Sequence, residues 1–283
     1  MHSSKLMICL LSATALFGEI VPLTGESGKR NNEHLISRRQ VPGKVASGAA
    51  RASIAFSGDN VIPHIVDGVD GGSWSSAITL TNLDIRTVTV TVYFLRDDGS
   101  DLVLPVTGLG NVVGVRATLA PAATVTFGTT GVGAISTGWA YIAKESVIDA
   151  ISGFCVLRRS TPGLPDSETV LPFVNQFDQR AVLLYDNTNG FVAAAAFANL
   201  NPSRASLTLT VRTEDGTVLE RNSFTLEPYS HWMGPIANLL PSTGGRRGSI
   251  ELTTTGIGVL GLRFNPTGSF TTYNAVTSIN WLQ

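Results

Sequence analysis

The chain has very few of the residues on which enzymes and metal sites depend. It has two cysteines and four histidines among 283 residues, and only 14% of its residues are charged. The formal net charge of -1 gives the chain no overall electrostatic attraction to nucleic acid or to an anionic membrane. We therefore expect no nucleic-acid partner.

Known catalytic and cofactor motifs are also missing. The sequence contains no Gly-x-Ser-x-Gly, His-Glu-x-x-His, Cys-x-x-Cys or Walker glycine loop. Triads assemble across a sequence, so His64 or His231 beside Asp67 or Asp70 stays open as an arrangement. The scarcity of histidine argues against it, and we expect no enzyme activity, no catalytic residue and no cofactor.

Two loops rich in Asp, Asn and Gly, at 67–72 and 186–190, offer the oxygen atoms that calcium prefers. Neither loop has EF-hand spacing or a downstream glutamate at the required offset. Each precedes a strand pattern, where Asx and Gly are ordinary turn residues. We predict turns at both places and no metal site.

The first residues are typical of an export signal. Lys5 precedes an apolar run from Leu6 to Phe17, which is too short to span a bilayer. We assign residues 1–18 to a signal peptide and expect a secreted or cell-surface protein with no membrane span after its removal. The mature chain would then keep only Cys155, which we interpret as a small apolar residue within a strand.

Residues 19–58 have a different composition from the rest of the chain. Gly, Ser, Ala and Asn dominate, scattered Arg and Lys outnumber the acids, and no apolar period is sustained. Such a segment cannot bury enough surface to offset its ordering entropy. We predict a disordered, basic tether over 19–58.

The second half of the chain repeats the first. The repeat keeps its order and, over its first part, a constant shift of 117 residues, as expected for a duplicated structural unit. The clearest pairs are Asn82-Leu83 with Asn199-Leu200, Asp98-Gly99 with Asp215-Gly216, Leu119 to Pro121 with Leu226 to Pro228, and Gly138 to Ile142 with Gly248 to Leu252.

The repeated segments alternate with period two, as antiparallel strands do when one face is wet. Val88 to Phe94 places valines on one face and threonines on the other, and Leu207 to Val211 does the same. Asx-Gly then supplies a hairpin turn. We predict an all-β fold of two tandem Ig-like antiparallel β-sandwich domains, 59–165 and 166–283, with the junction near Pro162 to Pro165.

The copies differ most at 128–133 against 235–240 and in the strand around Cys155. Because the shared parts are turns, strand cores and prolines, function is expected where the copies disagree. Exposed aromatic residues are the other candidates, since sugar rings stack on them. The candidate ligand-binding residues are Trp232, Trp281 and Tyr229.

The second half resembles a family of secreted β-sandwich repeats of acidobacterial soil bacteria. The resemblance rests on Ile236 to Pro241, Gly248 to Leu252, Val259 to Phe264, Asp186 to Gly190 and Ala198 to Pro202. It implies export and a sandwich fold, and it carries no site residues because no activity is established for the family. The first copy departs from the family at Ala150 to Leu157.

Together these observations predict an exported, non-enzymatic module that binds an extracellular or envelope protein or a glycan. The alternative is a carbohydrate-binding protein that uses exposed aromatic residues.

Overall fold

A computed structural model describes residues 19–24, 60–145, 150–175 and 177–277. The predicted all-β class is confirmed, since the described chain is almost entirely antiparallel strands. The strands of the first half are β1 Glu19–Leu23, β2 Asn60–Val69, β3 Ser73–Asn82, β4 Val88–Leu95, β5 Leu104–Val106, β6 Gly110–Val112, β7 Gly114–Leu119, β8 Thr124–Gly128, β9 Ser136–Lys144, β10 Ile151–Ser160, β11 Ser167–Pro172 and β12 Val174–Asn175.

The second half holds the remaining strands and two short helical turns. Its elements are β13 Phe177–Asp186, β14 Val192–Asn199, β15 Ala205–Thr213, β16 Val218–Leu226, β17 His231–Pro235, the α1 turn Ile236–Leu239, a 3-10 turn Pro241–Thr243, β18 Arg247–Phe264, β19 Phe270–Asn274 and β20 Val276–Thr277. The stretch 235–240, where the two copies differ most, therefore contains a single turn of helix.

Strand pairing is the same in the two halves. In the first half, one sheet has the order β7-β4-β9-β2-β12 and the other β8-β3-β10-β11. In the second half the corresponding orders are β16-β15-β18-β13-β20 and β17-β14-β18-β19. The duplication seen in the sequence is thus a duplication of topology. The division into two domains stays a prediction, because the halves share one apolar core.

A single strand of the second half replaces two strands of the first. The first part of β18 pairs with β13 and β15, as β9 pairs with β2 and β4, and its last part pairs with β14 and β19, as β10 pairs with β3 and β11. The change of sheet falls at Gly256, whose φ of +70° suits glycine. A Cβ on Gly256 would lie 2.4 Å from Asn201 Nδ2, so the crossing point also needs the missing side chain.

One buried asparagine ties together the repeated motifs in each half. Asn82 donates from Nδ2 to the carbonyls of Arg86, Leu119 and Ala120, at 2.7, 3.0 and 3.0 Å. Asn199 has the equivalent set and is also fully buried. Its acceptors are the carbonyls of Ser203, Leu226 and Glu227, at 2.9, 3.3 and 2.8 Å. The Asn-Leu motif and the Leu-x-Pro motif recur together because the amide of the asparagine donates hydrogen bonds to the backbone of the second motif.

The apolar core is continuous across the halves. The largest buried cluster joins inward residues of the first half, such as Ile62 and Phe94, with Ala196 and Leu260 of the second. Cys155 belongs to this cluster and is fully buried, and burial raises the pKa of its thiol to about 12. This environment fits the predicted apolar role.

The start of the predicted tether and the junction between the halves differ from the positions predicted from the sequence. The start of the predicted tether, Glu19–Leu23, is an edge strand that pairs with β7, whereas the signal peptide and the rest of the tether lie outside the described residues. The Pro162 to Pro165 stretch is the turn between β10 and β11, where the Leu164 amide donates to the Thr161 carbonyl at 3.0 Å. Since β11 and β12 pair with the first half, the pairing changes over between Asn175 and Phe177.

The turns predicted from Asx-Gly are present in both halves. Gly99 and Gly216 have φ of +83° and +86° and each closes a turn by donating to the carbonyl of Arg96 or Thr213. Over the described ranges, no helix is long and apolar enough to cross a membrane.

Candidate functional site

The second half covers the first with an apolar face that we call the docking face. It contains the outward side chains of β14, β17 and the last part of β18. β14 and the last part of β18 are largely apolar in sequence, as expected for strands that are covered on both faces. The docking face consists of Ala194, Ala196, Ala198, Met233, Leu260 and Leu262.

Next to Ala198, one end of the docking face packs against the outer side of the sheet that contains β2 and β9. Leu200 is fully buried and packs in one cluster with Tyr229 of its own half and with Val61, Trp139 and Tyr141 of the other. The adjacent turn of the first half also fits closely, since a Cβ on Gly99 would lie 2.8 Å from the Tyr229 carbonyl oxygen. The two halves are therefore held by interdigitated side chains and turns.

The equivalent face of the first half is partly polar, with threonines beside Phe154 and Val170, which are 39% and 52% exposed. We call it the threonine face. Its cross-strand pairs bond through their hydroxyls, Thr79 with Thr126 at 2.9 Å and Thr81 with Thr124 at 3.0 Å. Leu83, the counterpart of Leu200, is 63% exposed. By strand pairing Thr79 and Thr81 stand where Ala196 and Ala198 stand, so hydroxyls occupy two positions that are apolar in the docking face.

A cavity of about 220 Å³ lies where the halves meet. We call it the junction cavity. Its walls come from the end of the first sandwich and from the docking face. Its lining is Val66, Trp74, Ile135, Leu157, Met233, Leu262, Phe264 and Phe270, with the polar His64, Asp70, Asp97 and Thr137.

Both histidines of the described chain meet beside this cavity. The rings of His64 and His231 stack with their centroids 5.9 Å apart. His231 Nδ1 lies 2.9 Å from Asp97 Oδ1, and the His231 amide donates to the Asp97 carbonyl at 2.9 Å. Burial, followed by the neighbouring His231, lowers the pKa of His64 to about 3. His64 is therefore a neutral imidazole at neutral pH.

The sequence left open a contact of a histidine with Asp67 or Asp70, whereas the structure shows a contact with a different carboxylate. This carboxylate belongs to Asp97, whereas Asp67 is buried and accepts the Gly131 amide at 2.6 Å, which is a structural role. Asp70 lines the cavity. Thr137 is the one hydroxyl-bearing side chain of the lining, and no hydrogen bond between described residues joins it to either histidine.

Acid should weaken the fold through His64. The unfolded chain protonates this histidine near pH 6.5 but the folded chain only near pH 3, so between these values the unfolded state binds more protons. Stability is therefore full above about pH 6.5 and falls as the pH falls. By pH 5 the contribution is a loss of about 2 kcal/mol.

Urea unfolding at pH 7 and pH 5 measures this loss, and a His64→Leu variant isolates it. The variant should lose about 2 kcal/mol less than the unsubstituted chain between the two pH values. An equal loss in both proteins would assign the acid sensitivity to other groups.

The second half has an open cleft of about 800 Å³ at the place that corresponds to the junction cavity. We call it the end cleft. Aligning the strands by their pairing superimposes four lining positions of the two sites. These are Val66 with Asp186, Asp97 with Glu214, Thr137 with Arg247, and Leu157 with Arg263.

Charged and aromatic residues line the end cleft. Arg263 Nη2 donates to Asp186 Oδ2 at 2.7 Å, and its guanidinium lies 3.6 Å from the centroid of the Phe191 ring. The Thr188 hydroxyl and then Arg263 lower the pKa of Asp186 to about 2. Arg247 is looser, with Nε 3.8 Å from Glu214 Oε1 and about half of its side chain exposed.

Tyr185 and Tyr273 form the cleft's aromatic wall. The Tyr273 hydroxyl donates to the Leu184 carbonyl and the Tyr185 hydroxyl to the Arg212 carbonyl. Burial raises the pKa of both phenols, so they stay neutral donors. Leu184 lies at the same cleft and is 58% exposed. The cleft therefore presents apolar and charged groups side by side to solvent.

The predicted aromatic candidates do not share one surface. Tyr229 is buried, with 3% of its surface exposed, in the cluster between the halves. Trp232 is half-buried, and its ring stacks on Phe197 at 5.5 Å between centroids and meets Phe224 edge-on at 5.9 Å. Trp281 lies outside the described residues. Neither described candidate lines the junction cavity or the end cleft.

The two Asx-rich loops are turns. Asp186 Oδ1 accepts the Thr188 amide at 3.1 Å, and the Asp70 amide donates to the Gly72 carbonyl at 2.9 Å. Within the described part of the chain, no group of three or more His, Cys, Asp or Glu side chains could hold a metal ion.

Sequence reasoning did not identify Asp97, Arg247 or Arg263 as site residues. One signal was available, because Asp97 and Glu214 are equivalent in the repeat and directly precede the matched Asp-Gly turns. A scan against models of protein families and a search of the curated proteins find no match to this chain.

Proposed function

We propose that this protein is an exported, non-enzymatic interaction module that binds an extracellular or envelope partner in the end cleft. One observation carries the proposal. The junction cavity lies where the first half contacts the second. The equivalent position of the second half is the end cleft, which is open to solvent. A surface that serves protein–protein contact in one copy of a repeat is suited to the same use in the other.

The chemistry of the cleft supports a macromolecular partner. Tyrosine and arginine are among the side chains that dominate binding energy at protein interfaces, and the end cleft is lined by two arginines, by Tyr273 and by the buried Tyr185. Its volume of about 800 Å³ is at the large end for small-molecule pockets, and it is open rather than enclosed. A protruding loop or a chain of sugar rings fits such a shape. Export is part of the proposal and rests on the sequence of residues 1–18.

Retention of a partner on the immobilised exported chain tests the proposal. Envelope fractions of the producing cells and a glycan array are the two sources of ligand. Leu184→Asp and Arg247→Glu change exposed cleft residues and should each reduce retention at least tenfold, or by more than about 1.4 kcal/mol.

Matched controls place the same substitutions elsewhere on the surface. Leu164→Asp in the β10–β11 turn and Arg221→Glu on β16 change exposed residues outside the cleft lining, and retention should stay within twofold. A partner that the cleft variants still retain, or that the controls lose equally, binds elsewhere. Loss on Trp232→Ala with the cleft variants unaffected would instead support the carbohydrate alternative.

A further inference from the structure

The junction cavity has the features of a ligand site that is separate from the end cleft. Side chains of both halves form it, and its interior is apolar and aromatic, with Trp74, Phe264 and Phe270 in the wall. Trp74 and Phe270 pack at 5.3 Å between centroids, and Phe264 and Phe270 at 5.7 Å, so the three aromatic rings of the wall pack against one another.

The volume limits the ligand to about one ring. An apolar protein cavity of about 150 Å³ is large enough to bind benzene. The junction cavity, at about 220 Å³, has room for one ring with a short substituent. A disaccharide or a peptide segment needs a pocket of at least about 300 Å³. The junction cavity and the end cleft therefore select ligands of different size.

The charged groups of the lining have one sign. Asp70 and Asp97 are exposed at the mouth, and the Asp97 side chain is 63% exposed. Asp70 has no ion pair among the described residues. His64 contributes a neutral ring, since burial lowers the pKa of its imidazole. The neighbouring Arg159 is not part of the lining; its guanidinium lies 5.2 Å from the centroid of the Trp74 ring and donates to the carbonyls of Gly71 and Gly268.

We propose that the junction cavity binds a small organic cation, an ammonium group on a body of about one ring. The apolar body occupies the interior against Phe264 and Phe270, and the ammonium lies at the mouth between the carboxylates of Asp70 and Asp97. Aromatic faces add attraction for a cation. No covalent step is involved.

Calorimetric titration of the full exported chain with three probes of one shape tests the proposal. Benzylammonium carries the positive charge, benzyl alcohol is its neutral counterpart, and benzoate is the anion. Benzylammonium should bind at least threefold more tightly than benzyl alcohol, and benzoate the least. Binding of benzoate as tight as that of benzylammonium would overturn the charge assignment, and no binding of any probe would overturn the site.

Variants at the rim locate the binding without disturbing the core. Thr137→Trp should block the mouth and abolish benzylammonium binding, whereas Val132→Trp, on the neighbouring exposed loop, should leave it unchanged. Asp70→Asn and Asp97→Asn should each weaken benzylammonium about threefold and leave benzyl alcohol within twofold, as expected for partly exposed ion pairs. Binding that survives Thr137→Trp, or that falls equally in Val132→Trp, would contradict the assignment.

Discussion

Replacing Asn199 by alanine is expected to lower the free energy of unfolding by about 3 to 5 kcal/mol. The substitution removes the donor to three backbone carbonyls, of Ser203, Leu226 and Glu227, in a place where the asparagine side chain has no exposed surface. Each buried carbonyl that loses its partner costs about 1–3 kcal/mol. Urea unfolding at neutral pH measures the change.

The repeat supplies both a duplicate and a control for this experiment. Asn82→Ala should cost a similar amount, because Asn82 has the same set of acceptors in the first half. Asn222→Ala should cost less than about 1 kcal/mol, because the hydrogen bond that Asn222 Nδ2 donates to the Leu239 carbonyl is long, at 3.4 Å. Equal effects at Asn199 and Asn222 would show that the bonded amide is not what stabilises the motif.

Truncating Leu200 to alanine should cost about 3 kcal/mol, whereas the same truncation at Leu83 should cost less than about 0.5 kcal/mol. The two leucines follow the same asparagine in the two copies, yet Leu200 is fully buried between the halves and Leu83 is 63% exposed. Removing buried leucine atoms leaves a cavity that the surroundings fill only partly. Surface truncations have small effects.

Thermal and urea unfolding of both variants measure this difference. If Leu200→Ala also splits one unfolding transition into two, the junction is what makes the halves unfold together. A cost at Leu200 as small as that at Leu83 would mean that the contact with Trp139 and Tyr141 adds no stability.

Local patterns predicted the fold class, and their physical basis is visible. Alternation in Val88 to Phe94 and the Asx-Gly turns at Asp98 and Asp215 are set by neighbours along the chain. Repeated Asn-Leu pairs also had a local cause, since one amide binds the turn that follows it. Such features need no knowledge of how distant segments pack.

Contacts between the halves could not be predicted in the same way. His231 and Asp97 are 134 positions apart, and their contact depends on how one sheet lies on another. The change from Thr79 to Ala196 was visible in the aligned repeat, but its meaning depends on what covers each face. Pro162 to Pro165 misled for a related reason, because proline and glycine mark a hairpin turn as readily as a linker.

The threonine face has a consequence for how large such a protein can grow. Contact of the docking face with the next unit is head-to-tail, and contacts of this kind generate open fibres when they repeat. Here hydroxyls at Thr79 and Thr81 stand where the second half has docking alanines, so this face of the first half is less suited to repeat the contact. In solenoids, terminal units with polar outer faces end the array in the same way. Two positions that hold alanine in one copy and threonine in the other thus help to set whether the contact can repeat.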